Sequence, residues 1–587
     1  MPTARPMWLE GPGRPIFAWF HSPRDRRARA GVVVCPPIGF DYYLAHYALR
    51  RLAEELADAG LCAVRFDYDG TGDSLGGSGD ADRVRAWLTS VASARDCLRR
   101  AGLDRISLVG LRFGATLATA SAARDPGVDQ LVLWDPIASG RSFLVEHHAV
   151  SVLTLGVPAR SADGSVEIPG TVFDATTVRS LHGLTVGGGA APLARRVLVL
   201  TRHDRPVDRA ALQPVTADER VDREEAVGQA AFLDRTPPNQ RLPVDATRRI
   251  VDWLSSGAPA ESRRVRAPTD PSRVVVGQGA QGRHIVERVV RVPPVGLFGI
   301  LTEPEQAEEP DGRSAGPPPV LFLSVAAEPH IGPARLWVDL ARRWAGAGMR
   351  SLRLDLSGLG DSPHRGGGGP WAFFKPEAFD DVADAARWVS PGNPSDVVLV
   401  GLCSSGYQAL ESALALGARG AVTVNPSVSF VPPEHRAGLP FDGRRRIALA
   451  QDAVAPALRE GGALGGLRER VPDLAWRARI LLSPGRRSGR WLTELVRQGT
   501  DTLIVAGDRE VRPIRQGVTG LQLRRLERTG LLRLEHVHGL QHGLLVASHR
   551  DMVAALVSDH VLRRFSRPAV PLGGTLASGE ALPVVTG

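Results

Sequence analysis

The sequence predicts an α/β protein in which one plan is used twice: two mainly parallel sheets in tandem, each with helices on both faces. Two observations carry this. The first is self-similarity, which fixes the number of units before any element is assigned. Segment 31–76, GVVVCPPIGFDYYLAHYALRRLAEELADAGLCAVRFDYDGTGDSLG, reads as strand, loop, helix, strand and turn, and segment 319–363, PVLFLSVAAEPHIGPARLWVDLARRWAGAGMRSLRLDLSGLGDSP, repeats that order. The turns YDGTGDS (68–74) and LSGLGDS (356–362) match almost letter for letter, SLVGLRFGATLA (107–118) parallels VLVGLCSSGYQAL (398–410), and LVLWDP (131–136) parallels AVTVNP (421–426). Arg112 and Cys403 stand 291 positions apart, Asp73 and Asp361 288 apart, and so near-constant an offset indicates a duplicated domain. The second observation is alternation. Each copy interleaves apolar strand-like runs with amphipathic helices, such as Leu49–Ala59 and Leu336–Ala347, the pattern of a parallel sheet covered on both sides.

Right-handed crossovers then place the strand-to-helix turns along one edge of each sheet, where α/β folds bind ligands. The first domain is expected over 1–256. Residues 257–282 lie in a stretch rich in Pro, Gly, Ser and Arg and read as a linker. HIVERVVRVPPVGLFGILTEP (284–304) alternates like a hairpin and opens a second domain over 283–566. The tail 567–587 is expected to be disordered.

With 43% hydrophobic and 23% charged residues, the 587-residue chain can bury full cores. A formal charge of +9 suggests nucleic acid, but nearly all the positive residues are arginine, Lys375 being the single lysine, and they are spread along the chain. A phosphate-binding footprint clusters instead, so no nucleic-acid partner is expected. The four cysteines (Cys35, Cys62, Cys97 and Cys403) lie far apart, with no CxxC, which argues for a reducing compartment and against disulfides or zinc. The N-terminus lacks the apolar core of a signal peptide, and no run approaches the ~18 apolar residues of a membrane span. A cytoplasmic protein without membrane span, metal or redox cofactor is expected, of unknown oligomeric state.

A sharp turn between strand and helix suits nucleophilic catalysis. It lifts one side chain clear of the backbone at a helix N-terminus, where the dipole favours an anion, and leaves the next N–H to hold an oxyanion. In the second copy the frame Gly401-Leu402-Cys403-Ser404-Ser405-Gly406 puts Cys403 at the nucleophile position, with Ser404 and Ser405 as rivals. A carboxylate and then a histidine base should follow, in that chain order. DTLIVAGDREVRP (501–513) is a strand ending at Asp508, with Glu510 a second choice, and His542 precedes a helix beginning near Ser548. His538 competes for the base, whereas His549 and His560 read as surface residues of that helix. The first copy keeps the elbow but carries Arg112, which stays protonated and cannot attack. It offers Asp204 but no histidine between His203 and His284. Arg112 is expected to fill the vacated elbow and pair with a carboxylate such as Asp204 or Asp69. The sharper alternative is a site for an anion or acyl carrier.

Both halves resemble the alpha/beta hydrolase superfamily, and in particular the serine-aminopeptidase-like and exosortase-associated hydrolases of bacteria. The first half does so through PPIGFDYYLAHYALRRLAEELADAGLCAVRFDYDGTGDS and GLRFGATLA, the second through HIGPARLWVDLARRWAGAGMRSLRLDLSGLGDS and GLCSSGY. The resemblance implies two tandem alpha/beta-hydrolase domains, the first inactive and the second catalytic. It maps the nucleophile onto Cys403, the acid onto Asp508 and the base onto His542. The oxyanion donors would be the backbone N–H groups of Ser404 and of Ala327 in the loop VAAEPH (325–330). Residues 427–491 are expected as a helical cap, whose Arg444, Arg445, Arg446, Arg486 and Arg487 present either a binding surface or a solvated face. The implied reaction is hydrolysis of an ester, thioester or amide from a small-molecule or carrier-bound acyl substrate. An acyltransferase using the same acyl-enzyme is the alternative, and a non-catalytic scaffold is a third reading.

Overall fold

The computed structural model describes residues 3–566 apart from 78, 157–162, 188–192, 203, 205–211, 213–220, 236–239, 267, 280–281, 306–315, 366–376 and 428–487. Two large sheets organise it. In the first, the strands lie in the spatial order Thr3–Leu9, Ile16–Ser22, Cys62–Phe66, Gly31–Cys35, Ile106–Leu111, Val128–Trp134, Arg196–Thr201 and Val221–Glu225. The pairings on both sides of Ile16–Ser22 are antiparallel, and all those from Cys62–Phe66 onward are parallel.

The second sheet repeats this order strand for strand: His284–Val292, Leu297–Pro304, Ser351–Leu354, Val320–Leu323, Val398–Leu402, Gly420–Val424, Asp501–Ala506 and Leu532–His536. One further strand, Arg273–Gln278, is added at its antiparallel edge. The central strands are buried on both faces, which is why they read as continuous apolar runs. Val33 enters one core while Val32 and Val34 enter the other, and Leu399 is separated from Val398 and Val400 in the same way. The helices expected near Leu49–Ala59 and Leu336–Ala347 are Phe40–Asp58 and Leu336–Gly346. The hairpin expected over 284–304 forms, with Ile285 opposite Pro304.

The stretch 257–282 differs from a bare linker. Arg263–Arg264 pairs with Arg27–Ala28 of the first half, and Arg273–Gln278 is the added edge strand of the second sheet. Its arginines and glycines masked a short apolar strand, Val274-Val275-Val276. The tail 567–587 lies outside the described residues, as does nearly all of the expected cap.

The two halves meet through equivalent surfaces. Trp8, Phe17 and Trp19 of the first pack with Phe298 and Ile300 of the second, and the rings of Phe17 and Phe298 lie 6.3 Å apart. Phe17 donates its N–H to Ser74 Oγ and Phe298 donates its N–H to Ser362 Oγ, each at 2.8 Å. Around this apolar centre the ion pairs are reciprocal. Asp73 pairs with Arg353 and with His330, the latter at 2.6 Å, while Asp361 pairs with Arg65 and, at 3.3 Å, with His46. The matching GDS turns that reveal the repeat in the sequence thus clasp the copies together.

Candidate active site

The parallel strand Val398–Leu402 delivers Cys403 to the carboxyl edge of the second sheet, and a helix, Ser404–Leu416, starts at the next residue. Cys403 has φ 54° and ψ −115°, a conformation that an L-residue holds only when its surroundings impose it. They do so by crowding. A Cβ on Gly401 would meet the Ser405 carbonyl oxygen at 2.2 Å, so the strand can pass the helix only as glycine. Ser405 Oγ bonds the Leu402 backbone, accepting from N–H at 3.1 Å and donating to C=O at 3.0 Å, and Ser404 Oγ accepts the Ala326 N–H at 3.0 Å. Both serines are buried and occupied in holding the turn. Cys403 is the residue left pointing outward, part-buried, with Ser427 Oγ 3.4 Å from its sulfur.

His542 lies in the loop before the helix Ala547–Phe565, beside Cys403, and the thiol and imidazole each shift the other's pKa. Its Nδ1 lies 2.8 Å from Glu510 Oε1, which leaves Nε2 for the sulfur. Burial opposes charge on both members of the pair. The imidazolium, its hydrogen bond, Ser427 and the Ser404 N–H outweigh burial at Cys403 and lower its pKa, and the thiolate and Glu510 raise that of His542 to about 10. The arrangement favours a thiolate–imidazolium pair.

Asp508, expected as the acid, does not reach His542; the carboxylate there belongs to Glu510. Asp508 opens the helix Asp508–Gln516, and residues two apart on a helix point to nearly opposite sides. Glu510 turns inward and is buried, whereas Asp508 stands exposed with His536 Nε2 at 2.8 Å and His538 Nδ1 at 3.0 Å. His538 is therefore engaged elsewhere. Of the two histidines read as surface residues, His560 is instead buried, 3.1 Å from Asp501 Oδ1.

The loop after Val320–Leu323 supplies the other wall. With the N–H of Ala326 given to Ser404 and that of Glu328 to the Val325 carbonyl at 2.8 Å, the N–H of Ala327 between them has no partner among the described residues. Glu328 has a buried Oε2, also without a partner there; burial and the neighbouring thiol raise its pKa to about 8, so it adds no second negative charge at neutral pH. Asn425, at the end of Gly420–Val424, escaped the sequence reading although AVTVNP was one of the repeated motifs. Its side chain donates to the carbonyls of Gln541 (3.3 Å) and His542 (3.1 Å) and accepts from Gly507 N–H (2.8 Å), tying the base loop to the acid turn.

The first half reproduces the elbow with Arg112 in the place of Cys403. Arg112 has φ 54° and ψ −122°, nearly the backbone of Cys403. Its guanidinium is buried against Asp41 (3.2 Å), Asp135 (3.5 Å) and Glu146. The partners suggested from sequence are taken: Asp69 holds Arg14 and Asp204 holds Arg202. Three carboxylates already surround the cation, so the elbow has no excess positive charge for an anion.

Residues 321–556 match the model of the "Alpha/beta hydrolase family". The second half is an alpha/beta hydrolase domain. Its elbow, the parallel strands behind it and the histidine loop all lie inside the matched span, and the first half has the same strand order. No curated protein sequence matches. Among solved structures, Est1E from Butyrivibrio proteoclasticus is similar at 14% identity and a TM-score of 0.32 over 43% of this chain and 98% of its own. A putative hydrolase from Agrobacterium vitis S4 is similar at 20% identity and TM-score 0.30, covering 44% of this chain and 99% of its own. At these values neither bears on activity. No helix among the described residues is long and apolar enough to cross a membrane.

The first half also touches the hydrolase domain's histidine loop. Its hairpin Val166–Ile168/Thr171–Phe173 directs Glu167 Oε1 to the Ala547 N–H at 2.6 Å, and the Gly170 N–H donates to the Leu545 carbonyl at 2.9 Å. These bonds fix the segment immediately after His542.

Proposed function

We propose that the second domain hydrolyses an ester, thioester or amide, with Cys403 as nucleophile, His542 as base and Glu510 as the carboxylate that orients it. The observation that supports this most is a thiol at a positive-φ elbow whose pKa the neighbouring His542 lowers, with His542 Nδ1 2.8 Å from Glu510. The thiolate attacks the acyl carbon, and the charge that develops on oxygen is met by the N–H groups of Ser404 and Ala327. His542 gives its proton to the leaving group as the carbon–heteroatom bond breaks, leaving an acyl-thioester on Cys403. His542 then takes a proton from water, which attacks the thioester and releases the acid and the thiolate. The first domain is a non-catalytic partner.

Chloroacetamide labelling followed by intact mass tests this. Cys35, Cys62 and Cys97 are buried, so one rapid adduct is expected, lost in Cys403→Ala and slowed in His542→Ala. An adduct of unchanged rate in Cys403→Ala would remove the nucleophile from this reading. An acyl-enzyme that turns over only when an alcohol or amine is supplied would redirect it to acyl transfer.

A further inference from the structure

The mechanism leaves Asp508 and the two histidines around it unused. They come from adjacent parallel strands: Ala506 is in register with His536, so Asp508, two residues beyond the first strand, and His538, two beyond the second, emerge at the same carboxyl edge. Asp508 Oδ1 faces His536 Nε2 and His538 Nδ1 together, and one donor atom from each of the three residues lies within 4.8 Å of the others. The two rings pack with centroids 4.1 Å apart. The other oxygen, Oδ2, accepts the Gly539 N–H at 2.8 Å, which holds the carboxylate in orientation.

The geometry points to a metal site for a borderline divalent transition ion such as Zn2+, bound by Asp508 Oδ1, His536 Nε2 and His538 Nδ1. Two neutral imidazoles and one carboxylate are donors that Zn2+ takes, and the ion would replace the shared carboxylate oxygen as the centre on which both rings converge. Each neutral ring moves its proton to the other nitrogen, and Gly539 N–H remains as the outer support of the carboxylate. Asp508 and His538 are exposed, so solvent completes the coordination and the site is open. The site does not involve Cys403, but the thiol and His542 are a second place where zinc could bind, and the test separates them.

Untagged full-length Cys403→Ala protein, titrated with ZnCl2 by calorimetry, is expected to bind one ion per chain. Adding His536→Ala or His538→Ala should weaken binding by at least about tenfold, since loss even of outer-shell support costs that much. The side chain of His538 is 83% exposed, so its removal leaves the fold intact, and an unchanged melting curve checks this. Co2+ should give visible ligand-field bands in Cys403→Ala that vanish in Cys403→Ala/His538→Ala. Absence of binding to Cys403→Ala, or binding that both histidine substitutions leave unaltered, would overturn the proposal.

Discussion

At the scale of single residues, the pair Cys403–His542 sets the pH behaviour. With the thiol lowered and the imidazole raised to about 10, alkylation of Cys403 should decline as pH falls through the thiol's lowered pKa, at a lower pH than in His542→Ala. In His542→Ala burial acts without the imidazolium, so the rate should instead climb only above the ordinary thiol value of about 8.5. Stopped-flow alkylation from pH 5 to 9 separates the two. Turnover should fall above about 10, where His542 has no proton for the leaving group. Glu510→Gln should lower kcat/KM by about a hundredfold or more, a greater loss than Asp508→Asn causes; the reverse ranking would return the acid's role to Asp508. Spacing alone leaves these two carboxylates equivalent, because both follow the same strand within four residues. Only the helix phase at Asp508–Gln516 divides them.

At the scale of elements, the parallel strands and the two elbows were legible because burial on both faces forces apolar runs, and a crowded turn forces small residues on either side. Gly401→Ala should destabilise the domain by about 1–3 kcal/mol, through the clash with Ser405, and slow Cys403 labelling; thermal unfolding and mass spectrometry read the two effects. Less legible was whatever depends on partners distant in sequence. The edge strand Arg273–Gln278 exists because His284–Val292 offers a pairing edge, and Arg112 takes Asp41, Asp135 and Glu146 because the fold, not the sequence order, brings them near. Asn425 belongs to this class: three hydrogen bonds to loops eighty or more residues away leave no local signature. Asn425→Ala should cost about 1–3 kcal/mol through the groups it strands and reduce kcat more than it raises KM, because His542 loses its seat while the acyl pocket remains.

At the scale of the whole molecule, the halves are joined by buried charge as much as by apolar surface. Burial disfavours the His330 cation, but Asp73 and Asp355 outweigh this and raise its pKa to about 10. The sign follows: stability from this pairing is complete below the unfolded value of about 6.5 and is lost as pH rises through about 10. Asp73→Asn should lower stability by about 3–5 kcal/mol, since it leaves His330 and Arg353 short of a counter-charge. Chemical unfolding at pH 7 and pH 10 should find that penalty reduced at the higher pH. Glu167→Ala tests whether the first half braces the histidine loop: turnover and the Cys403 alkylation rate should fall together.

The reciprocal pattern of Asp73 with Arg353 and Asp361 with Arg65 has a corollary for the gene before its doubling. A lone ancestral unit bearing this aspartate, this arginine and the Phe17/Phe298 ring would have fitted an identical twin about a dyad. Fusion of two such units would turn a concentration-dependent contact into a tethered one.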